Sequence, residues 1–159
     1  MDVPTDRIAT FRLAELVAHI SSDAVTPGAG SAGAVALALA AACACKAVSV
    51  SLKHRPGDPE LQAAAASLAN IARIALGDAD RDAEAFKEFA RRHDAAAVGR
   101  LVREGENLAH LIAALTTAID AIESRVRRNM TGDLVAARAL ASAASRIQER
   151  NESEALRGP

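Results

Sequence analysis

The chain has no tryptophan, no tyrosine and only three phenylalanines among its 159 residues. A single-stranded nucleic-acid binder stacks bases on aromatic rings, and this sequence has almost none to offer. An excess of one charge is also missing: 19 basic residues face 20 acidic ones, for a net charge of −1. Phosphate backbones are bound through a surplus of Lys and Arg, so no nucleic-acid partner is expected. The two cysteines, Cys43 and Cys45, stand too close together for a disulfide framework. They read as small hydrophobes in a reducing cytosol, and a cytoplasmic protein is expected. The opening Met1-Asp2-Val3-Pro4-Thr5-Asp6 is acidic and has no apolar stretch behind it, unlike a signal peptide. The longest charge-free stretch lies between Asp23 and Lys46. Thr26-Pro27-Gly28-Ala29-Gly30-Ser31 breaks it and the rest is mostly alanine, so it predicts a buried core helix rather than a membrane span.

Alanine dominates what remains, and it is the best intrinsic helix former. The length fits one domain, 1–159, with its core over about 11–151. The fold class expected is all-α, an up-and-down bundle of about five helices around an Ala-rich central helix. The first helix is placed from near Thr10 to Ile20, with Phe11, Leu13, Leu16, Val17 and Ile20 as its apolar face. The second opens at Ser31 or the glycine before it and reaches about Lys53; it is apolar on all sides and therefore central. Asp58 and Pro59 are cap and first residue of a third helix running to about Arg92, which Gly77 kinks or interrupts. Asp94 starts a fourth reaching about Arg127, with a packing seam of Leu101, Leu108, Leu115 and Ile122. The fifth spans about Asp133 to Arg150, and the polar tail 151–159 is expected to fray.

Chemistry concentrates in Gly77-Asp78-Ala79-Asp80-Arg81-Asp82-Ala83-Glu84-Ala85-Phe86. Counting by sevens from Leu61, the third helix's seam passes through Leu68, Ala75, Asp82 and Phe89. Asp82 thus stands where a leucine is expected. Asp78 lies one turn earlier, and Asp80 points roughly the other way. A carboxylate on a buried face needs a partner, a raised pKa or a ligand, and a raised pKa suits a general acid or base. The alternative is that Gly77 ends one helix and Asp78 caps the next, with Asp80 and Asp82 favourable near its positive end. A second candidate is Gly28-Ala29-Gly30-Ser31, where glycines let the backbone approach a ligand at a helix N-terminus. Lys53, His54 and Arg55 complement the end of their helix or meet a ligand carboxylate. Glu15 with His19 and Glu106 with His110 are four apart, not the three of a di-iron site, and read as surface pairs; no metal is expected.

Thr26-Pro27-Gly28-Ala29-Gly30-Ser31 and Asp80-Arg81-Asp82-Ala83-Glu84-Ala85-Phe86, in that order around an Ala-rich helix, resemble the formiminotetrahydrofolate cyclodeaminase / methenyltetrahydrofolate cyclohydrolase family. Asn129, Gly132-Asp133, Val135-Ala136-Ala137 and Asn151 extend the likeness, which covers about Phe11 to Asn151. The resemblance implies a helical bundle, a homodimer and a folate site without metal, with a tetrahydrofolate derivative as substrate. The family's aspartates match Asp82 and Asp80, whereas helix geometry favours Asp78 as the partner of Asp82. Gly28, Gly30, Ser31 and Asp133 fall at the family's binding motifs. Ala29 replaces a central glycine and Gly132 a serine, and the chain is short. With no formiminotransferase domain attached, hydrolytic opening of 5,10-methenyltetrahydrofolate is expected ahead of cyclodeamination. The alternatives are a binding or scaffolding module that kept the fold, or an enzyme on another amidine or imine.

Overall fold

The computed structural model describes residues 7–157. Among them are five α-helices and no strand: α1 Leu13–Ile20, α2 Ala29–Leu52, α3 Pro59–Arg92, α4 Ala95–Ile122 and α5 Thr131–Arg157. The four long helices pack in chain order, and α5 returns to close against α2. Short connections make sequential neighbours antiparallel, as in an up-and-down bundle. The α3–α4 link is only His93 and Asp94; His93 takes a left-handed conformation, φ 50°, and the Asp94 side chain caps α4 through the Ala97 N–H at 2.9 Å.

α3 shows why the sequence folds locally as it does. Asp58 accepts the Leu61 N–H at 3.1 Å, and Pro59 occupies the first helical position. The helix then runs unbroken through Gly77 to Arg92. The expected interruption is absent, and so is a cap at Asp78, which sits mid-helix. Gly77 serves a different purpose: a Cβ there would stand 3.2 Å from the Arg81 guanidinium, which curls back over that turn to reach Asp78.

α1 departs from expectation. Only Leu16 is buried, while Leu13 and Val17 are 72% and 56% exposed, because α1 lies outside the four-helix ring. Glu15 does not pair with His19; it accepts the Arg12 N–H at 2.8 Å, and the His19 ring stacks on Phe11. α5 also departs, continuing through Asn151 to Arg157 instead of fraying. Glu, Ala and Arg are good helix formers, and the Arg150–Glu154 ion pair, 2.7 Å and one turn apart, ties that segment together. Residues 158–159 of the predicted tail, and the acidic opening 1–6, lie outside the described residues.

α2 is long and apolar enough to cross a membrane by length and composition, but in this fold it packs between α3 and α5. It is not covered on all sides. Ala32, Val35, Ala36, Leu39, Ala42 and Cys43 form a stripe of exposed or half-buried residues along it, with Leu39 51% exposed. Cys43 lies on this stripe, while the Cys45 thiol turns to the Ala65 carbonyl of α3; both are free.

Candidate functional site

The end of the bundle that gathers the start of α2, the end of α3, the start of α4 and the end of α5 is hollow. A cavity of about 420 Å³ opens there. The helix seams explain it. On α3 the seam residues Leu61, Leu68 and Ala75 are fully buried, and the next two, Asp82 and Phe89, line the cavity. On α4 Leu115 and Ile122 are packed, whereas Leu101 faces the hollow.

Asp82 sits against the first turn of α2. Its Oδ2 accepts the Ser31 hydroxyl at 2.9 Å, and the same hydroxyl approaches the Ala79 carbonyl at 3.1 Å. α2 begins at Ala29 with Gly28 as its N-cap, and no side chain of its own segment caps it. The Asp82 carboxylate therefore supplies from α3 what the helix start lacks, an anion beside unsatisfied N–H groups. Gly30 makes room for it, since a Cβ at that position would overlap the carboxylate. Gly30 is helical, so its role is close approach and not a left-handed backbone. Burial raises the Asp82 pKa above the usual carboxylate value. The Ser31 hydroxyl and N–H pull it down and the Glu104 charge pushes it up, but loss of water dominates. This is a carboxyl group with a raised pKa at the wall of the cavity, beside Phe86 and Phe89.

The other two aspartates separate. Asp78 is 4% exposed, lines the same cavity, and is ion-paired with Arg81. Asp80 faces away. It accepts the Ile8 N–H at 2.6 Å and meets Arg7 at 3.6 Å, which fastens the turn Ile8–Thr10 to α3. Asp78, as the helix geometry favoured, shares the cavity with Asp82; within one chain Asp80 does not.

Gly28 and Gly30 line the cavity with Ala29, while Ser31 is buried behind them. The Ala29 methyl is exposed, so this departure from the family glycine crowds nothing described. Lys53, His54 and Arg55 end α2 about 35 Å along its axis from Gly30, at ~1.5 Å per residue, and do not line the cavity. Asp133 is likewise about 22 Å along α5 from Gln148, a cavity residue, at the same rise. It pairs with Lys46 at 3.5 Å. A helix fixes these separations, so in a single chain neither group joins Asp82.

Several cavity residues were not singled out from the sequence. Glu104 lines it from α4, and Gln148, Glu152 and Glu154 from α5. Phe86 and Phe89 on α3 and His93 in the α3–α4 link complete the wall. Glu104 was legible in principle: it falls three residues after Leu101 and four before Leu108, a seam position. Glu152 and Glu154 were hidden by the expectation of a frayed tail. Among the described residues, no three His, Cys, Asp or Glu side chains stand close enough together to hold a metal ion.

Compared with known proteins, residues 12–151 match the family model described as formiminotransferase-cyclodeaminase. No curated protein matches the chain.

Proposed function

The chain belongs to the formiminotransferase-cyclodeaminase family, and on that premise we propose that its cavity binds a reduced folate and that Asp82 moves the proton in hydrolytic opening of a 5,10-methenyl bridge. The observation that carries this reading is Asp82 itself, a carboxyl group with a raised pKa seated against the start of α2 at the wall of the cavity. The methenyl carbon is cationic, and a nearby carboxylate stabilises it. As water adds to that carbon, Asp82 accepts one of its protons and a neutral hydroxy adduct forms. The bond from carbon to one ring nitrogen then breaks, Asp82 returns its proton to that nitrogen, and the adduct hydroxyl loses its proton to water. The products are the formyl compound and one proton.

The test is decay of the methenyl compound with purified protein, against buffer and against Asp82→Asn. Acceleration that the substitution removes is expected. No acceleration over buffer moves the assignment to a binding module. The same assay on the formimino compound, read as ammonia release, distinguishes deaminase from hydrolase activity.

Self-association belongs to the same proposal. The exposed apolar stripe of α2 offers a face for a second copy of the chain, and two-fold dimers are the commonest arrangement. Light scattering is expected to give twice the 16.4 kDa chain mass, with Leu39→Glu shifting the protein to monomer. A wild-type monomer at micromolar concentration defeats the dimer.

A further inference from the structure

The glycine seat of Asp82 has a counterpart across the cavity. Gly105 stands in the middle of α4 and Gln148 on α5, and both line the cavity. A Cβ at Gly105 would overlap the Gln148 carboxamide, so that group lies directly on the α4 backbone. Glycine weakens a helix interior, and here its missing side chain is the room the carboxamide occupies. One residue earlier, Ile147 packs on Gly33 of α2, where a Cβ would stand 3.2 Å from the Ile147 Cγ2. Gln148 is thereby held where α5 lies against both α2 and α4. Asn151 lines the cavity one turn further along the same face of α5. Among the described residues neither carboxamide has a hydrogen-bond partner, yet neither is sealed in: the buried side-chain atoms left without a partner belong to Asp78, Asp80 and Glu104. The charge around them is one-sided. Asp78, Asp82, Glu104, Glu152 and Glu154 line the cavity, and among the described residues no Lys or Arg does. Such a lining repels an anion, so the carboxamides are not matched to a carboxylate or phosphate. A carboxamide sets an N–H donor beside an oxygen acceptor, and its complement is a neutral edge with the two reversed. Phe86 and Phe89 supply apolar faces for the ring that carries such an edge.

We propose that Gln148, seated on Gly105, is a specificity-determining residue of the cavity: its carboxamide pairs with the lactam edge of a planar ring, accepting the ring N–H and donating to the ring carbonyl. The lactam class follows from the unpartnered carboxamide and the acidic lining. Its identification with the 4-oxopyrimidine edge of a pterin rests on the folate reading. Gln148 moves no proton; it holds and orients the ring, while Asp82 meets the reacting bridge.

Calorimetric titration with pterin and with 3-methylpterin tests it, since the methyl group blocks the lactam edge and leaves the rest of the ring alone. Wild-type protein is expected to bind pterin at least ~10-fold more tightly, because the methylated ring leaves the carboxamide facing a group it cannot pair with. Gln148→Met keeps the length of the side chain and removes its donor and acceptor, and is expected to bring the ratio to within about threefold. A preference that was only a steric clash of the methyl group would survive in that variant. Gly105→Ala, which displaces the carboxamide, is expected to act the same way; Glu149→Gln, an exposed neighbour on α5, keeps the wild-type ratio. Should Gly105→Ala fail to fold, Gln148→Met at a half-buried position still decides the matter. An unchanged ratio in Gln148→Met, or no preference in the wild type for pterin or for the lactam below, overturns the proposal. The lactam 4-quinazolinone, against its 3-methyl derivative, separates the two readings. A Gln148-dependent preference for 4-quinazolinone without binding of pterin keeps the lactam site and removes the folate. Turnover of the methenyl compound with a KM indifferent to Gln148→Met keeps the folate and removes the lactam contact.

Discussion

At one end of the bundle Leu61, Leu68, Leu115, Ile119 and Ile122 meet and are almost wholly buried. At the other end the same seams continue as Asp82 and Phe89 on α3 and Leu101 and Glu104 on α4, and the helices enclose a cavity. Each end has a buried serine on α2 and an aspartate at a helix start. At the filled end Ser51 donates to Ala47 in its own helix and accepts the Arg127 N–H at 3.0 Å, which fixes the α4–α5 connection. Asp58 caps its own helix and meets Arg125 at 3.3 Å. Its pKa is lowered, first by the Leu61 N–H. At the hollow end Ser31 turns to another helix and Asp82 caps another helix, with its pKa raised by burial. The same two residue types give a fastening where an N–H and a guanidinium hold the charge, and a proton-holding group where burial outweighs its partners.

The largest effect expected is at the hollow end. Asp82→Asn should slow opening of the methenyl compound by at least ~100-fold, the usual worth of a general acid–base group. The same substitution should raise Tm at neutral pH by a few degrees. The sign follows from linkage: the folded pKa lies above the unfolded value of about 3.9, so the native state binds that proton more tightly and loses stability as pH rises through the interval. Asparagine does not ionise, and its advantage should vanish on acidification below about pH 4, where aspartate is protonated in both states. Thermal melts across pH check this, and a lowered Tm for Asp82→Asn at pH 7 would falsify the account of its burial.

Gly30→Ala comes next. Its methyl group displaces the Asp82 carboxylate, and a misplacement of about 1 Å is enough to lower kcat/KM by ten- to a hundredfold. Gly57→Ala is the control, since nothing lies within 4 Å of a Cβ there and the residue is exposed away from the cavity, and its rate should stay within about twofold of wild type. Equal rates for the two variants would mean that the seat of Asp82 on α2 is not part of the chemistry.

The smallest effect belongs to the filled end. Asp58→Ala should lower Tm by roughly 2–4 °C through loss of the cap, with the rate per folded molecule unchanged. Asp58 stabilises the fold when ionised, so this deficit should narrow as pH falls through its lowered pKa. The Asp58 and Asp82 variants are thus expected to converge on wild type in acid from opposite sides.

The filled end was largely legible in the sequence, because leucine and isoleucine at heptad spacing have one use, and the Asp58-Pro59 pair is a strong helix start. At the hollow end the seam count located Asp82, since an aspartate at a leucine position is conspicuous. Asp80 and Asp78 were harder to rank. A family motif is a pattern along the chain, whereas sharing a cavity depends on helix phase, and the two disagree. Glu104 escaped notice because a glutamate among Arg103 and Glu106 looks like solvated surface until the seam is counted through it. The α1 face was misread for a different reason: amphipathic spacing shows that a helix has an apolar side, not that its own chain covers it. Lys53, His54 and Arg55 were grouped with the ligand by charge alone, and the length of α2 puts them at the other end.

Ser31 has one proton and two acceptors within reach, the Asp82 carboxylate and the Ala79 carbonyl. A hydroxyl donates to one acceptor at a time and can accept through its lone pairs. While Asp82 is charged, the Ser31 proton points at it. When Asp82 takes up a proton it becomes a donor, and the serine can receive that bond and swing its own hydrogen to Ala79. The hydroxyl is a rotor with two seats, and the hydrogen bond between Ser31 and Asp82 is kept in both settings. The proton can arrive and depart by one torsional turn, without a backbone atom having to move.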